Sequence, residues 1–172
     1  MILELVAVIT AGVGAGGVVL LVRRIVPPLP RWLMPVVAGA AMLAVSISLE
    51  YSWFPRTEAA LPQGVEVASQ RQNRAFWRPW TYAVPFVDGF IAVDRAGILR
   101  NDAAEGQRLA NLYVFGRWTP TRRMRAVFDC AGRRRADLTS ADAMGEDGIV
   151  AEHAWRSLAP DDAVAAAVCE GG

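Results

Sequence analysis

The chain has 172 residues, 53% of them hydrophobic and 20% charged, and its eighteen basic residues, all arginine, nearly balance seventeen acidic ones. With a mean hydropathy of +0.25, it is too apolar for an ordinary soluble domain and too short for a large transporter. A formal net charge of +1 excludes wholesale binding to nucleic acid or anionic surfaces, and the all-arginine usage reads as codon composition of a GC-rich bacterial genome.

Two apolar stretches come first, Ile2–Val22 and Trp32–Leu49. At 1.5 Å of rise per residue, a helix the length of Ile2–Val22 crosses a hydrocarbon core of about 30 Å. Its one charge, Glu4, lies at the end. Trp32–Leu49 is near the lower length limit for a span. Trp32 before it and Tyr51, Trp53 and Phe54 after it are placed as interfacial aromatics. A signal peptide carries its positive charges ahead of the apolar run, whereas Arg23 and Arg24 follow it here, so the first helix is expected to be retained. The linker Arg23–Arg31 holds three arginines, which the positive-inside rule places in the cytoplasm. Residues 1–50 are thus expected to form a transmembrane hairpin in a bacterial inner membrane, with the remainder in the periplasm. The fifteen later arginines do not reverse this, because long domains translocate largely regardless of charge.

Gly12-Val13-Gly14-Ala15-Gly16-Gly17 satisfies G-x-G-x-x-G. A dinucleotide site also needs a ribose-binding acid about 20 residues further on, and no Asp or Glu occurs between Glu4 and Glu50. No cofactor is expected. Gly12 and Gly16 instead form a small-xxx-small face for close helix approach, and Ala40, Ala44 and Ser48 repeat that spacing on the second helix. The face serves either pairing within the hairpin or contact with a helix of another protein.

Residues 51–63 read as an interfacial connector, ended by Pro62 and Gly64. Strand signals follow at Val65–Ala68, Thr81–Val84, Phe90–Val93, Leu112–Trp118, Met124–Asp129 and Arg134–Leu138. Trp118–Thr121 and Cys130–Arg133 look like hairpin turns, so the last three strands are expected to form an antiparallel meander. Asp102–Ala110 suggests a short helix. Pro160–Cys169 suggests a better one, with Pro160, Asp161 and Asp162 suited to a first turn. The expected fold class is α+β, with residues 64–172 as one small antiparallel-sheet domain. Cys130 and Cys169, the only cysteines, fall in the part assigned to an oxidising compartment and are expected to pair. On the chain-entropy model that bond stabilises the domain by roughly 4 kcal/mol. A metal pair lacks the C-x-x-C spacing and nearby histidines of zinc sites, and no metal is expected.

The order Phe128-Asp129-Cys130, Arg133-Arg134-Arg135, Trp155, Leu158-Ala159-Pro160 and Ala166-Ala167-Val168-Cys169 resembles the closing stretch of the surface-adhesin E family of small bacterial envelope domains. That resemblance covers the last 50 or so residues and implies a cystine linking a strand to the terminal helix. Glu50-Tyr51-Ser52-Trp53-Phe54-Pro55-Arg56 with Trp77-Arg78-Pro79-Trp80-Thr81-Tyr82 is similar to uncharacterised proteobacterial membrane proteins, a likeness that implies no reaction.

Little in the chain points to a reaction centre. His153 is the sole histidine, and neither G-x-S-x-G nor H-x-x-x-H is present. Asp88, Asp94 and Asp129 offer carboxylates, although strand-end aspartates more often form turns or ion pairs. Arg117, Arg122, Arg123, Arg125, Arg133, Arg134 and Arg135 face one acid, Asp129, in the same stretch, and seven acids follow between Asp137 and Asp162. Such a basic meander suits lipid phosphates or an acidic partner, or else pairs with the acidic segment in the fold. Trp77-Arg78-Pro79-Trp80 sets two large aromatics beside a rigid bond, a cluster that serves as core, as a membrane-surface anchor or as a partner hot spot, with core packing the first expectation. The functional expectation is a membrane-anchored periplasmic binding or scaffolding domain, an accessory or assembly factor whose partners are the lipid bilayer and a membrane protein, with no nucleic acid. The alternatives are an envelope enzyme using carboxylates near Asp88–Asp94, or a ligand or lipid sensor.

Overall fold

The structure is a computed structural model that describes residues 2–26, 28–101, 104–139, 145 and 148–170. The chain divides into two units, Met1–Trp53 and Phe54–Gly172.

In the first unit, α1 spans Ile2–Ile25 and α2 begins at Leu33. Both helices are long and apolar enough to cross a bilayer. Glu4, Val8, Ala11, Gly12, Ala15, Gly16 and Val19 are buried or half-buried, at helical spacings of three and four, while Leu3, Val13 and Leu21 between them stay exposed. One stripe therefore meets α2 and the rest is apolar surface of the kind a bilayer covers. Inside α2, the Ser46 hydroxyl donates to the Met42 carbonyl at 2.9 Å, which satisfies it without water.

Both helices outrun their expected ends. α1 takes in Arg23 and Arg24, whose charges suit the negative end of the helix dipole, so the non-helical linker is shorter than Arg23–Arg31. α2 runs on to Ala59 through Pro55. Residues 51–59 of the expected connector are thus helical. Proline fixes φ near the helical value and removes only one backbone bond, so it need not end a helix whose next turn holds good helix formers.

The second unit is built on an antiparallel sheet of β1 (Val65–Asn73), β2 (Phe86–Asp94), β3 (Leu99–Arg100), β4 (Gln107–Gly116), β5 (Arg122–Asp129), β6 (Arg134–Asp137) and β7 (Trp155–Ser157). Its order is β1-β2-β4-β5-β6-β7, with β3 also pairing β4. The β4-β5-β6 meander is present, as is the closing helix α4 (Ala163–Glu170). The Asp162 carboxylate caps α4 by accepting from the Ala165 N–H at 2.9 Å. Val164 and Val168 of α4 press onto Val93, Ala110, Leu112, Ala126 and Phe128, all essentially inaccessible. Each large side chain buried there contributes about 1.5–3 kcal/mol.

Strand alternation puts a second set on the other face, where Val127, Ala136 and Val150 pack with Leu109 and Trp155. There Phe90 stacks on Phe115, centroids 4.6 Å apart, and takes the edge of Phe54 at 5.3 Å. Phe90 is paired with Gln70. The chain therefore leaves Phe54, reverses through residues 60–64, where Gly64 holds φ +86°, and returns along β1 to the level it left.

Two expected elements are corrected. Thr81–Val84 is not a strand, because Trp80–Ala83 forms the short helix α3. Pro79, already at helical φ −59°, starts it, and the Thr81 hydroxyl bonds within the turn rather than facing a ladder. Asp102–Ala110 is not a helix across its described part. Gly106 takes φ +81° and Gln107 opens β4, paired with Asp129, so pairing with β5 overrides a weak helix signal. Asp102 and Ala103 lie outside the described residues.

Candidate functional site

The β5–β6 turn organises one end of the meander. Asp129 accepts from the Gly132 N–H at 2.7 Å through one carboxylate oxygen and from Arg134 at 3.1 Å through the other. The Gly132 bond, aided by Arg134 and opposed by burial, holds the Asp129 carboxyl below the ordinary aspartate value. Arg133 completes the turn at φ +51°. Cys130, in the same turn, is bonded to Cys169 of α4, with Cα atoms 5.8 Å apart. The cystine and the Val164–Val168 contacts fix the helix to the sheet at both covalent and packing levels.

The seven arginines separate into two groups. Arg134 pairs with Asp129 and Glu152, and Arg135 with Asp137, and Arg134 also lies over the Trp155 ring at 5.0 Å. These two serve the fold. Arg122, Arg123 and Arg125 are exposed along β5. Arg123 donates to the Asn111 side chain at 3.2 Å and sits over the Tyr113 ring at 5.8 Å, and with Arg125, Met124, Leu138 and Thr139 it lines a cavity of about 650 Å³. Arg117, half-buried, lies over Trp118 at 5.1 Å, and Arg133 is exposed.

Asp88 and Asp94 stand six positions apart on β2, roughly 20 Å along an extended strand. Asp88 is occupied by Arg71 at 2.7 Å and Asn73 at 3.0 Å. Asp94 accepts from the Gly97 N–H at 2.9 Å, as turn-forming aspartates do. His153 is exposed in a short 3-10 turn, Glu152–Ala154. Among the described residues, no group of three or more His, Cys, Asp or Glu side chains is placed to hold a metal ion.

The helical small residues also divide. A Cβ added at Gly12 would lie 2.7 Å from Met42 Cε, and one at Gly16 would lie 3.9 Å from Met34 Cγ. Both glycines face α2 within the hairpin. Ala40, Ala44 and Ser48 are exposed. Of the aromatics expected at the interface, Trp32 is exposed just ahead of α2, and Tyr51, Trp53 and Phe54 are half-buried within it.

The segment between β1 and β2 departs from its expected packing. Trp77 and Trp80 were expected in the core, yet the inside of this loop is Thr81, 1% exposed, and Ala75. The Thr81 hydroxyl accepts from the Ala75 N–H at 3.0 Å and donates to the Arg78 carbonyl at 2.7 Å. Phe76 (79% exposed), Trp77 (67%), Tyr82 (59%) and Val84 (57%) point outward, with Trp80 partly so. The available signal was five large apolar residues in Arg74–Pro85 at neither helical nor strand period, with two arginines and no acid.

Comparison of the chain with models of protein families, with curated proteins and with solved structures finds no match.

Proposed function

We propose that this protein is a membrane-anchored accessory or assembly factor, with α1 and α2 in a bacterial inner membrane and the sheet domain in the periplasm, binding an acidic surface of a membrane-protein partner. The orientation is supported by the three arginines between the helices and by the Cys130–Cys169 bond, which belongs to an oxidising compartment. The observation that carries the reading is that Arg123 and Arg125 are exposed and line an open cavity on β5, with Arg122 exposed beside them on the strand, while Arg134 and Arg135 are held in internal ion pairs. Arg123 and Arg125 share one face of β5, and two neighbouring planar guanidinium groups suit carboxylates, which they meet with paired hydrogen bonds. The exposed Ala40, Ala44 and Ser48 offer α2 a surface for a partner helix, since Gly12 and Gly16 are used within the hairpin.

The test is affinity purification of the full chain from native membranes in mild detergent, beside the triple variant Arg122→Ser, Arg123→Ser, Arg125→Ser. A membrane protein recovered with the parent chain and lost from the variant is the expected result. Recovery unaffected by the triple substitution, or no protein recovered at all, overturns the reading.

A further inference from the structure

The aromatic loop is not alone. Arg117 N–H bonds to the Asp88 carbonyl, which brings the β4–β5 turn to the same end of the sheet as the Asn73–Phe86 pair from which the 74–85 loop springs. That turn carries Trp118, 58% exposed. Two separate loops therefore crowd exposed aromatic rings onto one end of one sheet. Their positive charges are Arg74, Arg78 and Arg117, and neither loop contains an acid. Asp88, near the start of β2, pairs with Arg71. The opposite end is built differently, with Glu66 paired to Arg95, the Asp94–Gly97 turn and the Asp129–Arg134 turn.

We infer that this end of the domain seats in the headgroup layer of the bilayer. Tryptophan and tyrosine are the side chains that combine an apolar ring with a polar edge, and the headgroup layer offers both environments at once. Arginine on the same surface meets anionic phosphates. The geometry is preformed, because the Thr81 hydroxyl closes the loop from inside while the large rings face out, so docking orders few side chains. The unit that holds the sheet begins at Phe54, inside α2, so a bilayer crossed by α2 is the partner always within reach. A second copy or a soluble protein would need no such excess of tryptophan and arginine without acids. This inference rests on the two membrane-length helices and not on the partner proposed above.

The test uses the full chain in vesicles of phosphatidylethanolamine and phosphatidylglycerol, with a nitroxide label on a single added cysteine, the native pair remaining oxidised. Labels at Phe76→Cys, Tyr82→Cys and Trp118→Cys are expected to show an oxygen-to-nickel-chelate accessibility ratio several-fold above that of Ala96→Cys, which stands at the other end. Equal aqueous accessibility at all four positions overturns the inference. So does shielding of the first three from both reagents, the mark of a protein contact. Because no partner is present, the result is independent of the co-purification experiment. As a second measurement, brominated lipid is expected to quench a fraction of tryptophan emission that disappears in Trp77→Phe, Trp80→Phe, Trp118→Phe. An unchanged quenched fraction overturns the inference even where a cysteine variant fails to fold.

Discussion

Asp129 and Arg134 are register partners at the end of β5 and β6, and their side chains close the same turn, carboxylate to guanidinium, at 3.1 Å. Because the Gly132 N–H and Arg134 favour the charged form, the folded-state value of Asp129 lies below its unfolded one. Its contribution is therefore complete above the ordinary aspartate value of about 4 and fades as the pH falls through the lower folded value. Asp129→Asn is expected to destabilise the domain by about 1 kcal/mol at neutral pH, with the difference from the parent shrinking below pH ~4. Thermal unfolding at a series of pH values checks this. A difference that grows on acidification contradicts the assignment.

The cystine next to that turn gives a second expectation. Cys130 and Cys169 are 39 positions apart, and a loop of that size corresponds to roughly 4 kcal/mol of unfolded-state entropy. Replacing both by alanine is expected to lower stability by up to that amount and to raise amide exchange in α4 before the meander strands. Val164 and Val168 remain buried against Phe128 and Leu112, so the helix should loosen rather than vanish. Uniform exchange gains across sheet and helix would show that the bond supports the whole domain instead.

What was legible in the chain follows from how local each signal is. Apolar runs, the Trp118–Thr121 and Cys130–Arg133 turns and the cysteine pair are set by neighbouring residues or by chemistry, and these appear as read. Strand ends and the two-residue β3 depend on partners far along the chain, such as Leu99 with Leu109, and left no local mark. The end of α2 is another such boundary: the apolar run stops at Leu49, but the helix continues through Pro55 to Ala59. The arginines could be counted in advance but not sorted, since whether Arg134 meets Asp129 or water is decided by register. Trp77 and Trp80 misled for a related reason: large aromatic rings predict burial on average, and here the small Thr81 takes the inside place.

Gly12 and Gly14 allow a clean comparison in the hairpin. A side chain at Gly12 meets Met42, whereas nothing lies within 4 Å of a Cβ at Gly14. Gly12→Leu is expected to destabilise the hairpin by about 1–3 kcal/mol through overpacking, and Gly14→Leu to leave it unchanged. Resistance to unfolding in mixed detergent micelles measures both. Equal effects would mean that the glycines act through the helix backbone and not through the α1–α2 contact.

The last prediction concerns what holds the aromatic loop in shape. Thr81→Val keeps the shape of the side chain but removes the hydroxyl, leaving the Ala75 N–H without its acceptor, while the Arg78 carbonyl keeps the Thr81 N–H. An unmade bond at a buried donor costs about 1–3 kcal/mol, which is roughly a five- to 150-fold loss of protection for the Ala75 amide. Thr81→Ser retains the hydroxyl and should retain the protection, giving up only the contacts of one methyl group. Hydrogen exchange on the full chain in bilayers resolves the two. If valine and serine behave alike, the loop is held by Pro79 and Pro85 rather than by the hydroxyl, and its outward rings owe their placement to backbone stiffness alone.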